Sequence, residues 1–170
     1  YRLAELEFAL NKVECGALIT AARFKTSDYV GMLRELAPEI DGCAPGALSS
    51  AKLPHLKTII QIGDEDIAGM HGFADVIAKG TAVGHGKVIA LAPTLQFDDP
   101  INIQFTSGTT GSPKGATLTH HNILNNGYFI GRTMALTEAD RICIPVPLYH
   151  CFGMVLGNLA CMTHGAAMVY

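Results

Sequence analysis

At 170 residues the chain has the length of one ordinary domain, enough to bury a core but not to hold two. Apolar residues make up 49% and charged residues 16%, with a mean hydropathy of +0.27, which excludes a disordered chain. The net charge of −3 arises from scattered acids and bases, leaving no basic stripe for nucleic acid and no polybasic patch for a membrane surface.

Leu3, Leu6, Ala9, Leu10 and Val13 recur at helical spacing and Gly16 follows where a C-cap glycine belongs, so the chain opens with an amphipathic helix. Ala17-Leu18-Ile19-Thr20 suits a short buried strand. Thr26-Ser27-Asp28 offers N-caps for a helix through Tyr29, Met32, Leu33 and Leu36 that stops before Pro38. The run from Leu56 to Ile62, closed by Gly63, is a second strand. Strands alternating with helices predict an α/β fold in which a parallel-rich sheet is flanked by helices.

Residues 42–54 and 63–86 are rich in Gly, Pro and small side chains and read as loops with short helices, among them one from Phe73 to Lys79 ended by Gly80. Asp98-Asp99-Pro100 is a turn, Ile101 to Phe105 alternates as a strand, and a Gly/Ser/Thr-rich loop follows. Thr119 is placed to cap a helix from His120 towards Met134, and Ile142 to Val146 reads as another buried strand. From Ile142 to Tyr170 there is no charged residue, a length that raises the question of a membrane span. Pro145, Pro147, Gly153, Gly157, Asn158 and Gly165 interrupt it, so the expected order is strand, loop, buried helix from Met154 to Met162, and strand.

The chemistry concentrates in Thr106-Ser107-Gly108-Thr109-Thr110-Gly111-Ser112-Pro113-Lys114-Gly115. Glycines let the backbone approach an anion with its N–H groups turned inward, and the hydroxyls and the Lys114 ammonium add donors and positive charge. A polyphosphate is the natural occupant, beyond the carboxyl end of a strand where open α/β sheets bind ligands. The loop is not a Walker-type P-loop, because Gly115 stands where that motif needs Ser or Thr after its lysine. Nor is Ser112 in a nucleophile elbow, since Thr110 replaces the first glycine.

Phe105 to Gly115 resembles the signature loop of the adenylate-forming superfamily, which includes acyl-CoA synthetases, luciferases and peptide-synthetase adenylation domains. Pro145-Val146-Pro147-Leu148-Tyr149-His150-Cys151-Phe152-Gly153 is similar to the proline-led segment ending in His-x-Phe-Gly that follows that loop in acyl-CoA synthetases and luciferases. Phe24-Lys25 and the helix after it resemble the fatty acyl-CoA synthetase branch.

The resemblance implies that residues 1–170 are part of the large N-terminal AMP-binding domain of an ATP-dependent fatty acyl-CoA synthetase. The reaction it implies has two steps: a carboxylate attacks the α-phosphate of Mg-ATP to give acyl-AMP and pyrophosphate, then the CoA thiol displaces AMP. Thr106, Ser107, Gly108, Thr109, Thr110, Gly111, Ser112, Pro113 and Lys114 would bind the phosphates. His150 would lie near the carboxylate or acyl phosphate, with Phe152 and Gly153 bordering the acyl pocket. ATP, Mg2+, CoA and a fatty acid are then the small-molecule partners, together with the remainder of the polypeptide.

In that family an acidic Mg2+ ligand, a ribose-binding Asp and a small C-terminal domain with the adenylation lysine come from later segments. No catalytic set is therefore complete here, and residues 1–170 alone are expected to show no ligase activity and weak ATP binding. The opening at Tyr1 and the apolar run to Tyr170 are read as cuts. A non-catalytic nucleotide-binding module and a luciferase-like or aryl-acid adenylating enzyme remain as alternatives.

No metal site is predicted, because His120 and His121 are adjacent and cannot share a helix face. Both, with His164, read as structural or exposed. Five cysteines without a CxxC pair argue against a disulfide framework and for a reducing compartment, cytoplasm or mitochondrial matrix.

Overall fold

The computed structural model describes residues 2–106 and 113–170. Helix α1 occupies Leu3–Lys12, and the Glu5 carboxylate accepts from the Arg2 N–H at 2.8 Å, satisfying one of the donors a helix start leaves open. Strand β1 is Ala17–Ala21. Strands β2 (Arg23–Phe24) and β3 (Ser27–Asp28) form a small antiparallel pair, and Asp28 then caps helix α2 (Tyr29–Leu36) by accepting from the Gly31 N–H at 2.9 Å. The helix ends before Pro38, which opens a 3-10 turn over Pro38–Gly42.

Strand β4 (Thr58–Ile62) runs parallel to β1, with Ala17 opposite Thr58 and Ala21 opposite Ile62; the segment carrying α2 is the crossover that parallel pairing requires. Strand β5 (His71–Gly72) pairs parallel on the other side of β4, giving the order β1-β4-β5. Leu10, Leu33, Leu36, Ile40, Leu48, Leu53, Leu56, Ile59 and Met70 fill the core around this sheet. Gly69 closes tightly on that core. Its φ is +75°, and a Cβ there would lie 2.0 Å from the Ile40 carbonyl oxygen, so only glycine fits.

Helix α3 spans Phe73–Val83, longer than the expected stop at Gly80. Gly80 stays helical, and termination waits for Gly84, whose φ of +75° leaves the helical region. Helix α4 (Gly86–Leu91) follows.

Strands β6 (Pro100–Thr106) and β7 (Lys114–Thr119) pair with each other. Strand β7 was not expected: Lys114 and Gly115, read as loop, belong to it. Helix α5 (His120–Thr133) begins where Thr119 predicted, with a reciprocal cap in which the Thr119 hydroxyl accepts from the Asn122 N–H and Asn122 Oδ1 accepts from the Thr119 N–H, each at 3.1 Å.

Strand β8 is Arg141–Cys143, shorter than the apolar run suggested, because Pro145 and Pro147 cannot donate to a ladder. The expected helix from Met154 starts earlier and differs in kind: a π-helix covers Phe152–Leu159 and passes into α6 (Ala160–His164). Strand β9 (Ala167–Val169) returns parallel to β8, completing a strand–helix–strand unit.

The chain divides into two compact units. The first runs to Ala92 and takes in Phe105, Thr106, Pro113 and Lys114; the second comprises Pro93–Gln104 and Gly115–Tyr170. In the second, Ile123, Gly127 and Gly131 form a buried stripe on α5, which packs against the π-helix and α6. A Cβ on Gly127 would meet Leu159 Cβ at 2.6 Å, and one on Gly131 would meet His164 Nδ1 at 2.3 Å. Among the described residues no helix is long and apolar enough to cross a membrane.

Candidate functional site

Thr106 is the last residue of β6 and Lys114 the first of β7, and both are exposed. The Thr106 hydroxyl donates to the Lys114 carbonyl at 3.5 Å, so the two ends of the Gly/Ser/Thr segment are held together as strand neighbours. A hydroxyl and an ammonium therefore stand free of packing at the mouth of the segment. Ser107, Gly108, Thr109, Thr110, Gly111 and Ser112 lie outside the described residues.

The proline-led segment makes a turn at its histidine. The His150 N–H donates to the Pro147 carbonyl at 3.1 Å, and the His150 carbonyl accepts from the Met154 N–H at 3.0 Å. The ring is exposed, and the Phe152 N–H donates to Nδ1 at 3.2 Å. An N–H donor requires a lone pair, so Nδ1 is bare in the neutral ring and the proton sits on Nε2. In the neutral ring this contact favours the Nε2–H tautomer, whose N–H is suited to an oxygen that gains negative charge. The Cys151 thiol, also exposed, lies 3.8 Å from the same Nδ1.

Phe152 is half-exposed at the start of the π-helix. Gly153 is buried, and a Cβ there would sit 2.6 Å from the Pro147 carbonyl oxygen, so the glycine lets the helix start close against the turn. The residue that motif reasoning missed is Gln104. From β6 its side-chain amide donates to the Tyr149 carbonyl at 2.8 Å, joining the strand that leads into Thr106 to the residue before His150. Its only sequence signal is a polar residue in an alternating strand, which ordinarily marks a solvated face.

His121 and His164 make contacts within the fold. The His121 N–H donates to the Phe97 carbonyl at 2.8 Å, and the two rings lie 5.7 Å apart. His164 stacks on Tyr128 at 5.3 Å. Among the described residues no three His, Cys, Asp or Glu side chains gather to hold a metal ion. Burial raises the Cys161 and Cys15 thiols above their ordinary range and keeps them protonated.

The sequence profile of the AMP-binding enzyme family matches residues 1–170. The chain belongs to the AMP-binding enzymes. Among relatives, the mitochondrial medium-chain acyl-CoA ligase ACSF2 of Danio rerio is 45% identical over 172 residues, which cover 100% of this chain and 28% of that protein. The putative acyl-CoA synthetase YngI of Bacillus subtilis is 43% identical over 169 residues, covering 99% of this chain and 31% of its own length. The crystal structure of the anthranilate CoA ligase AuaEII in complex with anthranoyl-AMP superposes with a TM-score of 0.72 at 20% identity, over 100% of this chain and 29% of that one. This last likeness bears on the fold. The AMP-binding chain thus spans under a third of the length of the proteins it matches, and its parallel α/β architecture is that of adenylate-forming enzymes.

Proposed function

We propose that the protein containing these residues is an ATP-dependent fatty acyl-CoA synthetase acting on medium-chain fatty acids. The observation that carries this reading is 45% identity, across the whole chain, to a protein named a medium-chain acyl-CoA ligase. In the reaction a fatty carboxylate attacks the α-phosphate of Mg-ATP, the bond to the β-phosphate breaks, and pyrophosphate leaves; the CoA thiol then attacks the acyl carbon and AMP departs.

The residues divide between charge neutralisation and orientation. The Lys114 ammonium and the hydroxyls of Thr106, Ser107, Thr109 and Thr110, with the amides of Gly108 and Gly111, neutralise the β- and γ-phosphates as pyrophosphate departs. Ser112 and Pro113 complete the phosphate-binding set. His150 donates from Nε2–H to the carboxylate or acyl-phosphate oxygen, and Phe152 and Gly153 border the acyl chain. Mg2+ arrives with ATP as part of the substrate. Residues 1–170 form part of the large AMP-binding domain, which works with the rest of the polypeptide in cytoplasm or mitochondrial matrix.

The test is fatty-acid-dependent exchange of radiolabelled pyrophosphate into ATP by the intact protein. Lys114→Ala is expected to lower the exchange rate on the order of 100-fold, the loss typical of removing one donor aimed at developing charge. Exchange that needs no fatty acid, or that survives Lys114→Ala at the wild-type rate, would contradict the reading.

A further inference from the structure

We propose that Gln104 is a positioning residue for His150, acting through the peptide group that joins Tyr149 to His150. The proposal rests on the reading of His150 given above and extends it to a residue outside both motifs. Both polar groups of that peptide are taken: its carbonyl accepts from the Gln104 amide at 2.8 Å, and its N–H donates to the Pro147 carbonyl at 3.1 Å. The Met154 N–H on the His150 carbonyl, and the Phe152 N–H with the Cys151 thiol at Nδ1, add local contacts around the imidazole.

Packing does not do this work. Leu148 is 45% exposed and Tyr149 79% exposed, so apolar burial leaves the segment free to shift. The Pro147, Phe152 and Met154 bonds are all local and would travel with the turn as a unit. Gln104 comes from 45 residues earlier in the chain and ties the turn to β6, the strand that ends at Thr106. A hydrogen bond from a strand to an exposed turn controls where a donor sits, and a misplacement of about 1 Å costs on the order of 100-fold in rate at a reacting centre.

The experiment is a double-mutant cycle in the intact protein, read by fatty-acid-dependent ATP–pyrophosphate exchange. Gln104→Leu is expected to lower kcat about tenfold while the KM for ATP stays within about twofold, the pattern of an interaction realised in the transition state. In a His150→Ala background the same substitution is expected to change kcat less than about twofold, because the group it positions is gone. An equal loss in both backgrounds, or a Gln104→Leu enzyme at the wild-type rate, overturns the proposal while leaving the synthetase reading intact. Absence of exchange in the wild-type protein overturns that reading itself.

If Gln104→Leu lowers the thermal midpoint enough to obscure the rates, Gln104→Glu replaces it. Its carboxylate has the same length and only accepts, so it faces the Tyr149 carbonyl without a proton to give. It is expected to lose at least as much activity as Gln104→Leu, again only where His150 is present. A full rate in Gln104→Glu contradicts the proposal.

Discussion

Asp140 shows how a single half-buried side chain can be fixed by hydrogen bonds. Its carboxylate accepts from the Thr137 N–H at 2.7 Å and from the Thr137 hydroxyl at 2.9 Å, and these two bonds hold its pKa below the ordinary value. Its carbonyl accepts from the Ala167 N–H at 2.9 Å, so the same residue anchors the return of β9 beside β8. Because the folded value lies below the unfolded one, the stabilisation is complete above the ordinary carboxylate range and is lost as pH falls through the lowered folded value. Chemical denaturation of wild type and Asp140→Ala is expected to show a constant difference from about pH 8 to about pH 5 that narrows below about pH 4. A difference that grows in acid would contradict the assignment.

Among the proposed site residues, Lys114 stands out in the sequence as a cation in a loop dense in glycines and hydroxyls, and His150 only through the resemblance of residues 145–153 to a segment ending in His-x-Phe-Gly. Gln104 does not stand out. A side chain that hydrogen-bonds a carbonyl 45 residues away carries no local mark, since the partner is backbone and any residue supplies it. The Nε2–H tautomer of His150 was equally hidden, because it follows from the turn that brings the Phe152 N–H to Nδ1.

At the scale of elements, two helical glycines are expected to respond in opposite ways to the same substitution. Gly127 on α5 faces Leu159 so closely that a methyl would overlap its Cβ at 2.6 Å, whereas nothing lies within 4 Å of a Cβ at Gly80 on α3. Gly127→Ala should cost about 1–3 kcal/mol through forced separation of α5 from the π-helix. Gly80→Ala should stabilise by about 0.5–1 kcal/mol through reduced chain entropy and better helix propensity. Denaturant titration of the intact protein checks both; a tolerated Gly127→Ala would show that the helices do not approach this closely.

The same elements show where patterning stops being informative. Helices α1, α2 and α5 and strands β1, β4 and β6 announced themselves by apolar period and by caps at Asp28 and Thr119. Strand β5 has two residues, His71 and Gly72, and pairs through backbone alone, so no side-chain rhythm exists to read. Strand β7 begins with Lys114-Gly115, residues that elsewhere favour a loop; its pairing with β6 overrides that preference. The π-helix at Phe152–Leu159 shares the apolar composition of an α-helix, so composition does not announce its wider turn; Gly153 and Gly157 seat it against Pro147 and Ile144, where Cβ atoms would come to 2.6 and 3.0 Å.

For the molecule as a whole, two strand–helix–strand units, β1–α2–β4 and β8–π–α6–β9, supply the parallel pairing that places the chain among adenylate-forming folds. The pair of strands β6 and β7 carries Thr106 and Lys114 at their ends, and the turn before the π-helix presents His150 with the Phe152 N–H on its Nδ1. Neither part alone specifies a reaction; the synthetase proposed above does, and it sets a particular stoichiometry. An adenylate-forming ligase cleaves ATP between the α- and β-phosphates, so its nucleotide product is AMP.

The most direct measurement is therefore the product set formed by the intact protein with ATP, Mg2+, CoA and a medium-chain fatty acid, resolved by mass spectrometry. Acyl-CoA, AMP and pyrophosphate are expected in equal amounts, with acyl-AMP accumulating when CoA is left out. ADP and inorganic phosphate in their place, or acyl-CoA without nucleotide cleavage, would contradict the proposed reaction.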